Sequence, residues 1–421
     1  MRSEKKKLLL IGTNMGTVDI INYAHSQRIH VIVTDNLPIE KSKGKQLADE
    51  CWMISTKDIK SLEIQAKDSK IDGIFAGISE TNIQAALTLS KKLSLPFYAS
   101  QYQWDAFTNK IKFKELCNEF DIPTIKELQD IPDSFESFPI IVKPVDGSGG
   151  FGISICYNYD DFLTAKKRAI EASKTKNIII EPYITSKEIT VFYVIENGAI
   201  KLYGMSDRFT KHYTSSRIPL PVGHIFPSIY LNDYCKKTDN NVRKMFNSLG
   251  LKTGIVFIQG FSNEGRIQFY EMGYRLTGTQ EYHILEEETG YNPMKMMVDF
   301  ALSSNSYKKD IFNRITPEYN STYYLLNILV KPGKIKKIDG LDKILEISEV
   351  LNIIKELDEG DIIEYEHLGT LKQIATRIYL KLQKRSKLQE ILDKININLS
   401  IKDVSGNNLI LDMIREENLK Q

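Results

Sequence analysis

The stretch that most constrains this chain runs from Phe138 to Ile153, FPIIVKPVDGSGGFGI. An apolar strand, Ile140, Ile141 and Val142, delivers Lys143 to a loop with four glycines in six residues: Gly147, Gly149, Gly150 and Gly152. Such a loop lets backbone N–H groups approach phosphate oxygens, while the lysine adds a point charge. The lysine precedes the glycines, so the spacing is not the GxxxxGK[ST] of a P-loop, and it is not the GxGxxG dinucleotide fingerprint. Taken alone, a flexible turn beside a surface lysine explains it equally well. The order of the surrounding elements has to decide.

A chain of 421 residues has ample core and usually divides into two to four domains. With 56 Lys and Arg against 54 Asp and Glu, nothing in the charge argues for nucleic acid or acidic membranes as partners. The basic start (Arg2, Lys5, Lys6, Lys7) leads straight into the strand LLLIG and reads as a solvated tail. Its apolar run is too short for a signal-peptide core, and no stretch approaches the roughly 20 apolar residues of a membrane span. Cys51, Cys117, Cys156 and Cys235 are scattered, with no CxxC pair and no His at ligand spacing. A reducing, cytoplasmic setting is expected, without disulfides or zinc.

Residues 7 to about 105 alternate between strands and helices. KLLLIG, HVIVTD and IDGIFAG read as strands, Gly16–Ser26 and Thr81–Leu93 as helices, and LPFYA as a short closing strand. The expected form is a doubly wound parallel sheet. Its first turn, Gly12 to Gly16, lacks GxGxxG, which argues against a nicotinamide oxidoreductase. A helix follows from about Asn109 to Phe120, then a strand NIIIEPYI (177–184). Two hairpins come next, one turning at Glu196-Asn197-Gly198 and one, GIVFIQGFSNEGRIQFYEMGYR, with its tip near Gly265. That tip puts Gln259 opposite Glu271. Beyond Thr316 the strands YYLLNILVKPGKI and GDIIEY precede a Lys/Leu-rich helix expected over 370–396.

The Gly-rich loop, the IIIEPYI strand end and the EMGYR strand end, in this order, resemble the ATP-grasp superfamily, most closely its carboxylate–amine ligases and biotin carboxylase-like members. The resemblance covers nearly the whole chain. It implies an α/β architecture with α+β grasp domains. The parts are a Rossmann-like preceding domain (1–105), an ATP-grasp domain (106–310) with a mobile lid at roughly 137–182, and a small C-terminal closing domain (311–421). It implies ATP and Mg²⁺ as cofactors. Lys110 and Lys143 match the phosphate lysines, and the loop with Gly147, Ser148, Gly149, Gly150 and Gly152 matches the phosphate cover. Glu181, Pro182, Tyr183 and Ile184 match the adenine-binding linker, and Glu188 the acid that takes the ribose hydroxyls. Glu271, with Gln259, matches the metal position, and Arg275 and Arg208 match cations facing the reacting groups.

Residue chemistry gives some of these positions independent weight. A carboxylate ending an apolar strand, as Glu271 does after Ile267 and Phe269, is costly to bury unless a cation shares it. Magnesium is one candidate and Arg275, four residues on, is the other. The chain departs from the family at Gln259, where an acid is usual, and at Gly273, where an asparagine is usual. Further polar positions are Lys211 and His212, Thr279, Gln280 and Glu281, and Glu80 at a strand end of the first sheet.

The implied reaction activates a carboxylate as an acyl phosphate and joins it to an amine, releasing ADP and phosphate. The expected partners are small-molecule carboxylate and amine substrates. Many members of the family are dimers, which leaves a homodimer open. Two alternatives remain. One is a bicarbonate-activating, carboxylase-like or carbamoyl-phosphate-type enzyme. The other is a non-catalytic nucleotide-binding regulatory subunit, which Gln259 and Gly273 favour.

Overall fold

The computed structural model describes residues 5–128, 138–147, 150–213, 218–263, 265–303, 309–413 and 415–419. The expected parallel sheet is present as β1 (Lys7–Ile11), β2 (His30–Thr34), β3 (Glu50–Trp52) and β4 (Gly73–Phe75), in the order β3-β2-β1-β4. Leu8 to Ile11 and Val31 to Val33 are sealed from solvent, as a parallel strand between helical layers requires. The helices Thr17–Ser26 and Glu80–Leu93 supply cover. The edge strand β3 is only three residues long and carries no readable alternation. LPFYA forms no strand, because Pro96 has no N–H for a ladder. The segment instead buries Tyr98, edge-on to Tyr274 at 5.0 Å.

At the end of β2 the first sheet buries an ion pair. Lys45 is inaccessible and reaches Asp35 Oδ1 at 2.8 Å while also donating to the carbonyls of Asp35 and Leu37.

A second, small antiparallel sheet holds β5 (Ile140–Pro144), β6 (Ser154–Cys156) and β7 (Ile178–Pro182), ordered β6-β5-β7. The helix Tyr159–Ala172 packs on it, and Ile140, Val142, Cys156, Phe162 and Ala169 form a core separate from the rest.

The large sheet is built from β8 (Lys187–Glu196), β9 (Ala199–Lys211), β10 (Leu220–Phe226), β11 (Gly254–Asn263), β12 (Arg266–Gly273) and β13 (Thr322–Leu329). After β14 (Gly333–Asp339), the strands β15 (Val350–Lys355), β16 (Ile362–Ile363), β17 (Ile374–Leu382) and β18 (Ser400–Asp403) complete the chain. The eight-stranded order is β12-β11-β8-β9-β10-β13-β17-β15, and a three-stranded sheet β16-β14-β18 stands beside it. The large sheet therefore runs across position 311, with three C-terminal strands extending it. The hairpins turn where expected: Asn197 and Gly198 both have positive φ, as a tight primed turn demands.

The helix expected over 370–396 is a correction. Only Leu388–Asn398 is helical, while 374–382 is strand β17. Lying between β13 and β15, β17 buries both faces, so its run Ile374 to Leu380 lacks the alternation that marks a half-exposed strand. Among the described residues, no helix is long and apolar enough to cross a membrane.

Replacing Lys45 with methionine leaves Asp35 buried without its cation. A loss of about 3–5 kcal/mol of unfolding free energy is expected, measured by denaturant titration. A loss below about 1 kcal/mol would show that the hydroxyls of Thr13 and Ser42 suffice for Asp35.

Candidate active site

Antiparallel pairing puts directly opposed residues on one face of a sheet. Along one row of the large sheet Glu271 faces Gln259, Gln259 faces Thr190, and Thr190 faces Ser206. Two positions along, Glu188 faces Arg208 and Arg208 faces His224, so both rows share one polar face. The face continues through Leu325 to Asn327, and Asn327 opposes Arg377. The predicted pairing of Gln259 with Glu271 is present, and Gln259 Nε2 bonds Thr190 Oγ1 at 3.4 Å.

Glu188, matched above to the acid that takes the ribose hydroxyls, is engaged within the protein. It is buried, ion-paired to Arg208, and accepts from Thr210 at 3.3 Å and Tyr270 at 3.3 Å. Arg208 in turn is consumed by Glu188, so the two predicted site residues form one unit. His224, beside Arg208, is held neutral: burial drives its pKa well below the usual range, and the charges of Arg208 and Arg377 add to this.

The small sheet carries a second charged unit. Lys143, fourth residue of β5, is buried rather than lying at an open strand end. Its Nζ lies 2.5 Å from Glu181 Oε2, and Lys114 Nζ lies 2.5 Å from Glu181 Oε1. One carboxylate thus lies between two cations, and Lys114 also reaches Glu127 Oε1 at 3.4 Å, so two lysines are matched by two carboxylates. Lys143 also sits 5.5 Å over the Tyr270 ring. Lys114 had no assigned role, though it stands one helical turn from Lys110 and so on the same helix face. Glu181 was expected to contribute its backbone; its side chain is the buried centre of this cluster.

Lys110 donates to the carbonyl of Gly147 at 2.8 Å, tying the helix Lys110–Glu119 to the Gly-rich loop. Gly150 and Gly152 have φ of 76° and 79°, a conformation that favours glycine. Ser148 and Gly149 lie outside the described residues. A shallow open cleft is lined by Glu80, Asn109, Lys110, Gly147, Glu271 and Met272, among others.

Arg275 does not pair with Glu271. It bonds Glu80 at 3.2 Å and lies 4.8 Å over the Phe257 ring. Burial raises the Glu80 pKa against the pull of Arg275, with Glu271 adding to the rise. Among the described residues, no ion pair or hydrogen bond engages the half-buried Glu271 carboxylate. Gly273, the departure noted above, has a packing cause: any Cβ there would overlap the Phe257 ring that Arg275 covers. Among the described residues, no group of three or more His, Cys, Asp or Glu side chains could hold a metal unaided. Glu271 with a neutral amide fits Mg²⁺ that arrives with phosphate oxygens, since that ion takes one or two carboxylates and fills the rest from phosphate and water.

Lys211 pairs with Asp412, and His212 Nε2 meets Tyr183 Oη at 2.7 Å, joining β9 to the end of β7. Glu281 is buried, accepting from Tyr203 at 2.5 Å and from Thr277, and burial raises its pKa. Gln280, at φ 51°, donates to Glu356.

Residues 136–281 match the model of the ATP-grasp domain. The carbamoyl phosphate synthase large chain of Clostridium perfringens (strain SM101 / Type A) is 21% identical over 435 residues, covering 97% of this chain and 40% of its own length. The chain thus spans well under half of that curated relative. The L-amino acid ligase of Bacillus licheniformis superposes with a TM-score of 0.73 at 18% identity, covering 95% of this chain and 99% of the ligase. The biotin carboxylase domain of the Hydrogenobacter thermophilus 2-oxoglutarate carboxylase, solved with MgADP, ADP and bicarbonate, superposes at 0.74 with 17% identity, covering 94% and 90%. These structures share the fold.

The neutral state of His224 sets a pH dependence. Its folded pKa is depressed below the ordinary value of 6.5, so its contribution is complete above that value and is lost as pH falls below it. Between pH 6.5 and 5 the unfolding free energy should fall more steeply than in His224→Gln, by at most about 1.4 kcal/mol per pH unit. Parallel slopes for the two proteins would refute a buried neutral imidazole.

Proposed function

We propose that this chain is an ATP-dependent ligase of the ATP-grasp type, a reading that the match of residues 136–281 to the ATP-grasp domain supports. It activates a carboxylate as an acyl phosphate and joins it to an amine, releasing ADP and phosphate. The observation that carries this reading is the cleft in which Lys110, the carbonyl of Gly147 and an ion-pair-free Glu271 face one another. An acidic group without a cation beside a Gly-rich loop suits a polyphosphate bearing its own metal.

In this reading ATP lies between the small sheet and the large one. Lys110 and Lys143 hold phosphate oxygens, and residues 137–182 act as the lid of the domain spanning 106–310. The backbone of Glu181 to Ile184 offers adenine a donor and an acceptor in register. Mg²⁺ bound to ATP would be held by Glu271, with Gln259 opposite, and would neutralise phosphate charge. Arg275, kept in place by Glu80 and Phe257, supplies a planar cation for the developing phosphoryl charge. Arg208 acts by orienting Glu188. No general base is required, since positioning and charge stabilisation carry phosphoryl transfer.

A second reading has bicarbonate as the acid that is phosphorylated. The match to carbamoyl phosphate synthase large chains favours it. Phosphate release from ATP, assayed with bicarbonate and with mixed carboxylates and amines, separates the two. ATP consumption that no acid stimulates would leave a nucleotide-binding regulator.

Lys143→Ala leaves Glu181 paired with Lys114 at 2.5 Å, so the single variant is the informative protein. It should fold, and it should bind ATP about 10- to 100-fold more weakly, the worth of a charge-assisted hydrogen bond of roughly 1.5–3 kcal/mol. Parental ATP affinity in a folded Lys143→Ala protein would remove Lys143 from the phosphate site.

The metal assignment has its own test in a magnesium titration of ATP turnover. Glu271→Gln should raise the Mg²⁺ requirement at least about tenfold, and Gln259→Glu should lower it, because a charged oxygen replaces a neutral one at a hard cation. Unchanged magnesium dependence in Glu271→Gln would contradict the assignment.

A further inference from the structure

Three parts of the chain meet at Glu356. Lys43, from the first sheet's surroundings, donates to the Glu356 carbonyl at 2.9 Å and pairs with Asp358 at 2.6 Å. Gln280, from the loop after β12, donates to the Glu356 carboxylate at 3.2 Å, and Arg377 Nε bonds the same oxygen at 3.1 Å. Arg377 is 3% exposed and stands on the polar face that carries Glu271, Gln259 and Arg208.

The guanidinium is unevenly satisfied. Nε has Glu356 and Nη1 has Asn327 Oδ1 at 2.5 Å, whereas Nη2 points at the thioether of Met15, 3.2 Å away. Sulfur is a weak acceptor, so the donor best suited to a carboxylate oxygen is spent on the poorest partner in the group. Met15 belongs to the turn between β1 and the helix Thr17–Ser26, at the carboxyl edge of the parallel sheet, where α/β sheets bind ligands. One residue earlier, Asn14 Nδ2 is a buried donor with no partner among the described residues. Its Oδ1 is occupied by the N–H of Ile78 at 3.2 Å. Gly278 closes the group, since a Cβ there would touch both Met15 Sδ and Ile78. Two underused donors, Arg377 Nη2 and Asn14 Nδ2, thus belong to one junction of strand-end loops.

Gly278 is three residues from Arg275, a span of at most about 10 Å. A small molecule can therefore reach from this junction to the polar row at Glu271 and Arg275. We infer that the junction of Asn14, Met15, Gly278 and Arg377 takes the carboxylate of the substrate that supplies the amine, making that substrate an amino acid. The inference rests on the ligase reading. The developing phosphoryl charge finds its cation at Arg275, while an attacking amine must be neutral and offers no charge by which to be held. A carboxylate on the same molecule gives it an anchor, and the Arg377 fork can receive it where Met15 now lies. The thioether side chain is unbranched and moves aside readily.

The test is direct binding, so it does not depend on turnover. The full chain, held with Mg²⁺ and a non-hydrolysable ATP analogue, is titrated calorimetrically with each proteinogenic α-amino acid and its methyl ester. At least one amino acid should bind, and its ester, which keeps the amine and loses the charge, should bind about tenfold or more weakly. Met15→Glu places a carboxylate of the protein's own against Nη2. It should abolish amino-acid binding, leave the affinity for the ATP analogue unchanged, and keep or raise the Tm. The inference is overturned if no amino acid binds, if ester and acid bind alike, or if a folded Met15→Glu protein binds amino acids as the parent does. Should Met15→Glu fail to fold, the acid–ester comparison on the parent chain decides. Acid-stimulated ATP turnover without amino-acid binding would sink this inference and leave the ligase reading standing.

Discussion

The antiparallel register of the eight-stranded sheet is the constraint on which the site depends. Pairing Gln259 with Glu271 on one side and with Thr190 on the other commits alternate residues of β11 and β8 to the same face, and a bulge in β12 adds Tyr270 beside Glu271. The same commitment passes through Glu188, Arg208 and His224 to Asn327 and Arg377. A slip of one residue in any ladder would turn these polar groups into the apolar side of the sheet, where Val191, Met205 and Ile258 are buried. Burial of that apolar face therefore holds the polar face in register. The chemistry of the cleft is positioned by the hydrophobic effect acting on the opposite side.

Charge on this face is arranged in units that leave selected groups free. Glu188 neutralises Arg208, and Glu80 neutralises part of Arg275. Glu181 lies between Lys143 and Lys114, and Glu127 stands 3.4 Å from Lys114, so the lysines of that cluster are matched by carboxylates. Glu271, by contrast, has no ion pair among the described residues. A lone carboxylate half out of water is costly to keep, and a metal ion arriving with a polyphosphate would relieve it.

Several of these features were legible from residue order. The Asn197-Gly198 turn and the hairpin tip near Gly265 follow from local turn chemistry, whereas the Gln259–Glu271 pairing, expected from a three-residue tip, is reached through a tighter tip, with Asn263 opposite Arg266, and a bulge at Gln259/Gly260. The first sheet follows from apolar runs set apart by helical periods. What escaped were groups whose meaning depends on distant neighbours. Glu188 and Lys143 carry charge near strand ends, where an exposed side chain is the ordinary reading; their burial comes from Arg208, Tyr270 and Glu181, which lie 20 or more residues away. Arg377 was hidden inside a stretch read as helix, because a strand buried on both faces has no period of two to betray it.

By itself the sequence determined many of the local pieces: most of the runs that are strands, where the tight turns fall, and which loop is rich in glycine. These are set by side-chain branching, by glycine's tolerance of positive φ and by spacing, all of which act over a few residues. Tertiary structure alone decided the pairings of charges. It gave Arg275 to Glu80 rather than to the nearby Glu271, filled the space at Gly273 with Phe257, and brought Met15 against Arg377 across 362 positions. An ion pair forms with whichever partner the packed backbone delivers within a few ångströms, and separation along the chain carries no information about that distance.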